Sequence, residues 1–458
     1  MDKPKILLTT PPLNKIVEPL YDKPSFVRYS IASLAAVLLH EDITNDLLCI
    51  DAKFSQIYEN DLLKLILDFK PDIIGISSFT YEIEDAGNIA EKVKSILPRT
   101  IICVGGPHIS AIPEQCMKDF TGFDIGFIGE AEISFKEFCH NYSEKGNYAN
   151  IKGICYREID KIIINPEREK INNLDELPMP AWHLLPKAKE YFIQTSKGCP
   201  FNCNFCFNPN GNIVRQRSAE NVIKEIEWLI ENMQPKRISF GDEVFGSKNS
   251  NTEKILDLII EKQIYKKVKW DIQTHVSFVN EELLKKLKKA KVSKIELGVE
   301  SGNDEILKMM GKGIKKEKII YAFNLCKKYK IKTGAFLIFG HPNETKESIN
   351  ESIKFACKLN PTEPIFALMV PFPGTKIYEY YKNQDYNYIC RSTKWSEYRK
   401  QLNTVLQLKN ISNKELRILL LKANVMLYLK NFRFLGLIKF GLSNYKSGIA
   451  FLKSFFLK

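Results

Sequence analysis

The sequence has no apolar run approaching the ~18 residues that a membrane-spanning helix needs. Its start, "MDKPKILLTTPPLN", turns polar and Pro-rich before the hydrophobic stretch of a leader develops. Both absences point to the cytoplasm. No low-complexity tract interrupts the chain, and 44% hydrophobic content over 458 residues supplies two or three domain cores. Cysteine is sparse: eleven residues, an odd number scattered over a long chain, do not form the disulfide framework of a small secreted protein. Reduced thiols follow. Acidic residues are nearly missing from one region, since residues 401–458 carry ten Lys/Arg against the single acid Glu415, net +9 of the chain's +13. The basic character therefore belongs to the tail, and no nucleic-acid partner is expected. In that tail bases interleave with Leu, Ile, Phe and Tyr, which gives two readings. One is a helical pair capping the preceding domain, and the other is helices lying on an anionic membrane surface, peripheral at its inner face.

The pattern is α/β throughout. Short apolar runs at residues 6–9, 47–51, 73–78, 101–105 and 124–128 alternate with helical stretches such as "SIASLAAVLLH". That alternation predicts a doubly wound, Rossmann-like parallel sheet over residues 1–150, with its ligand beyond the carboxyl ends of the strands. Those ends carry Pro11, Asp51, Ser77, Ser78, Gly105, Gly106, His108, Gly129 and Glu130. Ligand loops and ordinary strand-to-helix turns both fit them. No G-x-G-x-x-G follows the first strand, which argues against a dinucleotide. A hairpin, "IKGICYREIDKIIINP", and a linker broken by Pro166, Pro178, Pro180 and Pro186 occupy residues 151–190. Alternation then resumes with runs at 192–195, 237–241, 269–274, 294–299, 333–339 and 365–369. Six such units predict a partial (β/α)6 barrel over 191–390, with its chemistry at the C-terminal strand ends. A helical basic region fills 391–458.

Three residues after the first barrel run stands "GCPFNCNFCF", with Cys199, Cys203 and Cys206. A structural zinc site wants four ligands in paired C-x-x-C spacing, and only Cys203 and Cys206 are so spaced. The other eight cysteines stand singly, several inside apolar elements where a thiol acts as a small hydrophobe. Three thiolates on a tight loop can hold three irons of a [4Fe–4S] cluster and leave the fourth iron open. On spacing alone, cluster, zinc and chance remain as readings.

C-x-x-x-C-x-x-C with an aromatic, Phe205, before the last cysteine resembles the signature of the radical S-adenosylmethionine (SAM) superfamily. Four further segments agree in order. "SFGDEVF", with Gly241, Asp242 and Glu243, is similar to the segment near the SAM amino group. "IELGVESGNDEILKMMGKG" resembles the ribose-binding strand end, which makes Glu300 and Ser301 the implied ribose and carboxylate contacts. "GAFLIFGHPNETKES", with Gly340, is similar to the strand beside the adenine, and "VPFPGTKIYE" to the closing segment. In front of the barrel, "TTPPLN", "CIDAKF", "DIIGISSFT", "VGGPHIS" and "IGEAE" resemble the cobalamin-binding domain of one subfamily, the class B radical SAM methyltransferases.

The resemblance implies a [4Fe–4S] cluster on Cys199, Cys203 and Cys206, SAM, and cobalamin near Ser77, Gly105, Gly106 and Gly129. No D-x-H-x-x-G offers a histidine to cobalt, so the corrinoid is expected base-off, with His108 the histidine to watch. His275 stands where many relatives carry arginine. The implied activity is reductive cleavage of SAM to a 5′-deoxyadenosyl radical, with methylation of an unactivated carbon or phosphorus centre in a small molecule, lipid or natural product. A flavodoxin- or ferredoxin-type protein is the implied electron donor. Oxidative cyclisation or rearrangement on the same scaffold is the alternative within the superfamily. A non-catalytic corrinoid and iron–sulfur module is the alternative outside it.

Overall fold

The computed structural model describes residues 3–13, 24–144, 148–159, 161–247, 249–400 and 405–443. The last part of the basic tail, residues 444–458, lies outside the described residues. The first sheet is built on β1 (Ile6–Thr9), β2 (Leu47–Ile50), β3 (Ile73–Ser77), β4 (Ile101–Gly105) and β5 (Ile125–Phe127). All five run parallel in the order β2-β1-β3-β4-β5, and Ile6 sits opposite both Leu47 and Ile73. Strand β1 is apolar and buried on both faces, as a central strand covered by helices must be. The helix Tyr29–His40 covers one face through Ile31, Ala32, Ala35 and Leu38. Strand order reverses between β1 and β3, which opens a crevice at their carboxyl ends.

The hairpin does more than close this domain. Its strands β6 (Ile154–Glu158) and β7 (Lys161–Ile164) extend the sheet beyond β5 as antiparallel members. The linker is anchored by Trp182, which is fully buried and donates from Nε1 to Glu225.

The second sheet begins at β8 (Glu190–Ile193). A short antiparallel pair, β9 (Ser196–Lys197) with β10 (Arg215–Gln216), ties together the two ends of the cysteine loop. Then follow β11 (Arg237–Phe240), β12 (Lys269–Thr274), β13 (Lys294–Glu300), β14 (Thr333–Phe339) and β15 (Glu363–Leu368). The six long strands run parallel in the order β8-β11-β12-β13-β14-β15, the open barrel that the alternation predicts. The expected run 192–195 shifts to Glu190–Ile193 because the amides of Thr195 and Ser196 leave the sheet to donate to Asp242.

Past the barrel, β16 (Tyr388–Cys390) and β17 (Leu406–Leu408) form a small antiparallel pair that alternation did not reveal. Between them the chain returns to the first domain: the Trp395 amide donates to Glu84 at 2.8 Å, and its indole meets the His108 ring edge-on at 4.6 Å. The helix Asn413–Lys430 starts in a capping box of Ser412 and Glu415. It buries Leu416, Leu419, Ala423 and Leu427 and packs on the helix Lys346–Leu359 and on β15, so this part of the tail is a cap. The helix Phe434–Ser443 rests on it. Among the described residues no helix is long and apolar enough to cross a membrane.

Candidate functional site

The cysteine loop is held from every side. Gly198 enters it at φ 101°, where a β-carbon would strike the Ile213 carbonyl at 2.4 Å. The Cys199 amide donates to Gly211, and Asn208 donates to the carbonyls of Cys199 and Gly211. Asn204 donates from its amide to Met310 and from its side chain to Met309, while its own carbonyl accepts from Ile377. Phe201 stacks on His275 with ring centroids 3.8 Å apart. Such a loop holds its thiols in place before any ligand arrives.

Cys199 and Cys203 are half-buried and Cys206 is exposed, all three free. The Cys206 thiol hydrogen-bonds to Cys203 and lowers its pKa, an effect that outweighs burial and is reinforced by the charge of Lys312. The pKa of Cys206 rises correspondingly. Among the described residues no three His, Cys, Asp or Glu side chains converge as ligands of a single metal ion do. A cluster places a separate iron at each thiolate, so three cysteines spread along one rigid loop suit it while failing as a one-ion site.

Around this loop stand the strand ends. At the end of β11, Gly241 admits no side chain, because a β-carbon would lie 1.7 Å from the Phe192 ring. Asp242 has both oxygens engaged, one by the amides of Thr195 and Ser196 and the other by the Thr195 hydroxyl, and burial pushes its pKa up to about 6 against those bonds. It braces the loop, and Glu243 is the acid of this segment that keeps an unpaired oxygen, Oε2. At the end of β13, Glu300 takes φ 62° beside a bulge, an uncommon conformation for a residue other than glycine. Its Oε1 lies 2.8 Å from the Lys312 ammonium, and both side chains are enclosed. Ser301 is buried and shares a hydrogen bond with Ser352. After β14, Gly340 at φ 103° donates to Glu344, whose other oxygen has no partner. Phe205 and His341 face one another with centroids 6.1 Å apart. Burial holds His341 neutral, with its pKa pushed down to about 3.

Unpartnered buried polar atoms are rare in folded proteins. Here Glu243 Oε2, Glu344 Oε1 and Asn208 Oδ1 all lie on the loop or at the strand ends. All three are acceptors, which suits a ligand that brings an ammonium group and ribose hydroxyls, and SAM is one. Lys312 was not singled out from sequence, although it stands between two glycines twelve positions after Glu300.

The second half of the site lies in the crevice between β1 and β3. A cavity of about 210 Å³ is walled by apolar side chains such as Leu8, Ile76, Val104 and Phe127, and by the backbone of Ser77, Gly105, Gly106 and Gly129. Gly105 opens into space, since a β-carbon there meets nothing within 4 Å. Gln194, Lys197 and Asn210, from the barrel side, complete the wall. Lys197 lies 2.9 Å from Glu132, which also accepts from Ser33. Burial opposes the charge on Lys197, but Glu132 and Tyr29 raise its pKa above the ordinary value. An apolar cleft with glycines at its mouth suits a flat, largely apolar group such as part of a corrinoid.

Not every expected residue borders that cavity. Pro11 is buried elsewhere. Asp51 caps the helix Ala52–Ser55 and accepts from Thr10 and from the Arg28 amide. Ser78 bonds to the carbonyls of Gly105 and Phe79. His108 is fully buried against Trp395, and burial pushes its pKa down to about 3. Glu130 does border the cavity, but its carboxylate is held by Arg215 in an enclosed ion pair.

Comparison with known proteins agrees with both halves. Residues 193–356 match the Radical SAM superfamily, and residues 27–139 match the B12 binding domain. An uncharacterized methyltransferase of Pyrococcus horikoshii is 31% identical over 436 residues, 93% of each chain. The anaerobic magnesium-protoporphyrin IX monomethyl ester cyclase of Rubrivivax gelatinosus is 27% identical over 76% of this chain and 65% of its own. The solved structure of the radical S-adenosylmethionine methyltransferase TsrM from Kitasatospora setae, with cobalamin and a [4Fe–4S] cluster bound, superposes with a TM-score of 0.71. It covers 93% of this chain and 89% of that one at 17% identity, a likeness of fold.

Proposed function

The chain belongs to the cobalamin-dependent radical SAM methyltransferase family, and from that premise we propose that it methylates an unactivated carbon or phosphorus centre of a small molecule, a lipid or a natural product. The observation that carries this reading is the shared wall of the two halves. Gln194, Lys197 and Asn210 border the cavity behind Gly105 and also flank the loop of Cys199. Cofactors bound on either side would meet across them.

In this reading Cys199, Cys203 and Cys206 hold the cluster. Glu243, Glu300, Ser301 and Gly340 surround SAM, with Phe205 beside them and Lys312 supplying positive charge. Ser77, Gly105, Gly106 and Gly129 border the corrinoid. When bound, these groups supply one-electron cleavage of SAM and a methyl group, while the chain supplies position and exclusion of water. Lys312 neutralises Glu300 and biases Cys203 toward its thiolate. His275 supports the loop through Phe201, and its neutral ring adds no charge beside Lys312: burial and Lys312 push its pKa down to about 3. A flavodoxin- or ferredoxin-type protein is the proposed electron donor, and peripheral contact of the basic C-terminal region with a membrane belongs to the same reading.

The likeness to the Rubrivivax gelatinosus cyclase supports oxidative cyclisation as a second reading. The products of SAM separate the two. Reconstituted protein reduced with dithionite and given methyl-labelled SAM is expected to form S-adenosylhomocysteine and pass label to the corrinoid. Deoxyadenosine without S-adenosylhomocysteine would instead favour the cyclase, and neither product would leave a non-catalytic module.

A further inference from the structure

The most exposed apolar surface of the described residues is gathered at the last helix. Of the seven large hydrophobic side chains that are more than half exposed, five lie between Phe432 and Leu442. Within the helix Phe434–Ser443 they fall at Phe434, Leu435, Ile438 and Leu442, spaced to share one face. The orientation of that face is set by what lies opposite. Gly436 packs on the Tyr428 ring so closely that a β-carbon would come within 2.7 Å of it. At the helix start the Arg433 guanidinium donates to the carbonyls of Pro361 and Thr362 at 2.7 and 3.1 Å. The helix therefore cannot roll its apolar face inward without breaking these contacts.

Water-soluble monomers rarely leave such a patch uncovered. Lys430 flanks it, the sequence from there on adds Lys439, Lys446, Lys453 and Lys458, and no acid follows Glu415. An apolar helical face bordered by bases matches the chemistry of an anionic lipid surface, where the side chains enter the acyl boundary and the bases meet headgroups. We propose that the helix Phe434–Ser443 seats the enzyme on an anionic bilayer. This rests on the reading of the basic C-terminal region as a membrane contact and narrows it to one helix. The preceding helix is the weaker candidate: Leu416, Leu419, Ala423 and Leu427 turn one side of it onto β15 and the helix Lys346–Leu359, and its outward Ile418, Leu421 and Leu429 are each less than half exposed. Removing the whole tail would strip that cover from the barrel, so substitution is the sound test.

The test is co-sedimentation of the full holoenzyme with vesicles of phosphatidylglycerol and phosphatidylcholine, and with vesicles of phosphatidylcholine alone. It compares wild type, the double variant Leu435→Glu/Ile438→Glu, and Ile418→Glu on the preceding helix as a control. Wild type and the control are expected to bind the anionic vesicles in a salt-sensitive way. The double variant is expected to lose about tenfold or more in partitioning, with iron and corrinoid contents unchanged. Equal binding by the double variant would overturn the assignment to this helix while leaving a membrane contact elsewhere. No binding by wild type would remove the membrane reading itself. A concentration-dependent dimer of wild type without lipid, lost in the double variant, would give the face to a second copy and overturn the proposal.

Discussion

The ammonium of Lys312 lies 2.8 Å from the carboxylate of Glu300, with both side chains enclosed beside the loop of Cys203. Burial opposes the charge on Lys312, and Glu300 together with Cys203 more than restores it. The two charges stand in direct contact beside the cysteine loop.

Lys312→Met leaves Glu300 buried and uncompensated. The expected loss is about 3–5 kcal/mol of stability, the usual effect of breaking a buried pair by removing one partner. SAM affinity should fall by about tenfold or more, because a charge-assisted contact is lost with it. Chemical unfolding and equilibrium dialysis with labelled SAM measure the two. Unchanged SAM affinity in a folded variant would place Lys312 outside the SAM site.

The contribution of Glu344 to stability is expected to fall as pH rises from about 4.5 to 8, against the opposite trend that the buried His108, His275 and His341 impose below about 6.5. Burial pushes the Glu344 pKa up from 4.5 to about 8, against the amides of Gly340 and His341, which favour the charged form. Above its ordinary pKa the unfolded chain has given up a proton that the native chain keeps, so the stability present at low pH is lost as pH climbs through the folded pKa. Glu344→Gln keeps an acceptor for both amides and has no proton to release. Urea unfolding at pH 5, 6.5 and 8 should show the stability difference between the two proteins moving in favour of the variant as pH rises; parallel slopes would locate the effect elsewhere.

Gly105→Val tests the cavity without disturbing the fold. Space is open beside Gly105, and its φ is ordinary for any residue, so stability should change by less than about 1 kcal/mol. Corrinoid content should drop severalfold while iron stays constant. Full corrinoid retention in a folded variant would move the corrinoid out of this crevice.

How much of this was legible depended on whether a feature is local. Strands 6–9, 101–105 and 333–339 have the bounds that the sequence predicts because apolar runs between turn residues leave little alternative, and 269–274, "KWDIQT", because its polar residues alternate with Trp270 and Ile272. The three cysteines share a loop of eight residues, so their grouping was visible as spacing. The pairing of Lys197 with Glu132 was not, since it joins β9 to a helix residue 65 positions earlier. Nor was the burial of His108, which depends on Trp395 returning from the far end of the chain. Asp242 was read as a ligand contact because its segment resembles one, whereas in three dimensions Thr195 and Ser196 reach it first. Polar residues at strand ends announce a site without announcing which of them other residues already occupy.

The most direct test of the account is the iron, sulfide and corrinoid content of anaerobically reconstituted protein, measured beside Cys203→Ala. About four irons and one corrinoid per chain are expected in wild type, with iron lost and corrinoid kept in the variant. Iron that persists in Cys203→Ala would contradict the cluster assignment, and wild type that takes up iron without corrinoid would contradict the cobalamin half of the mechanism.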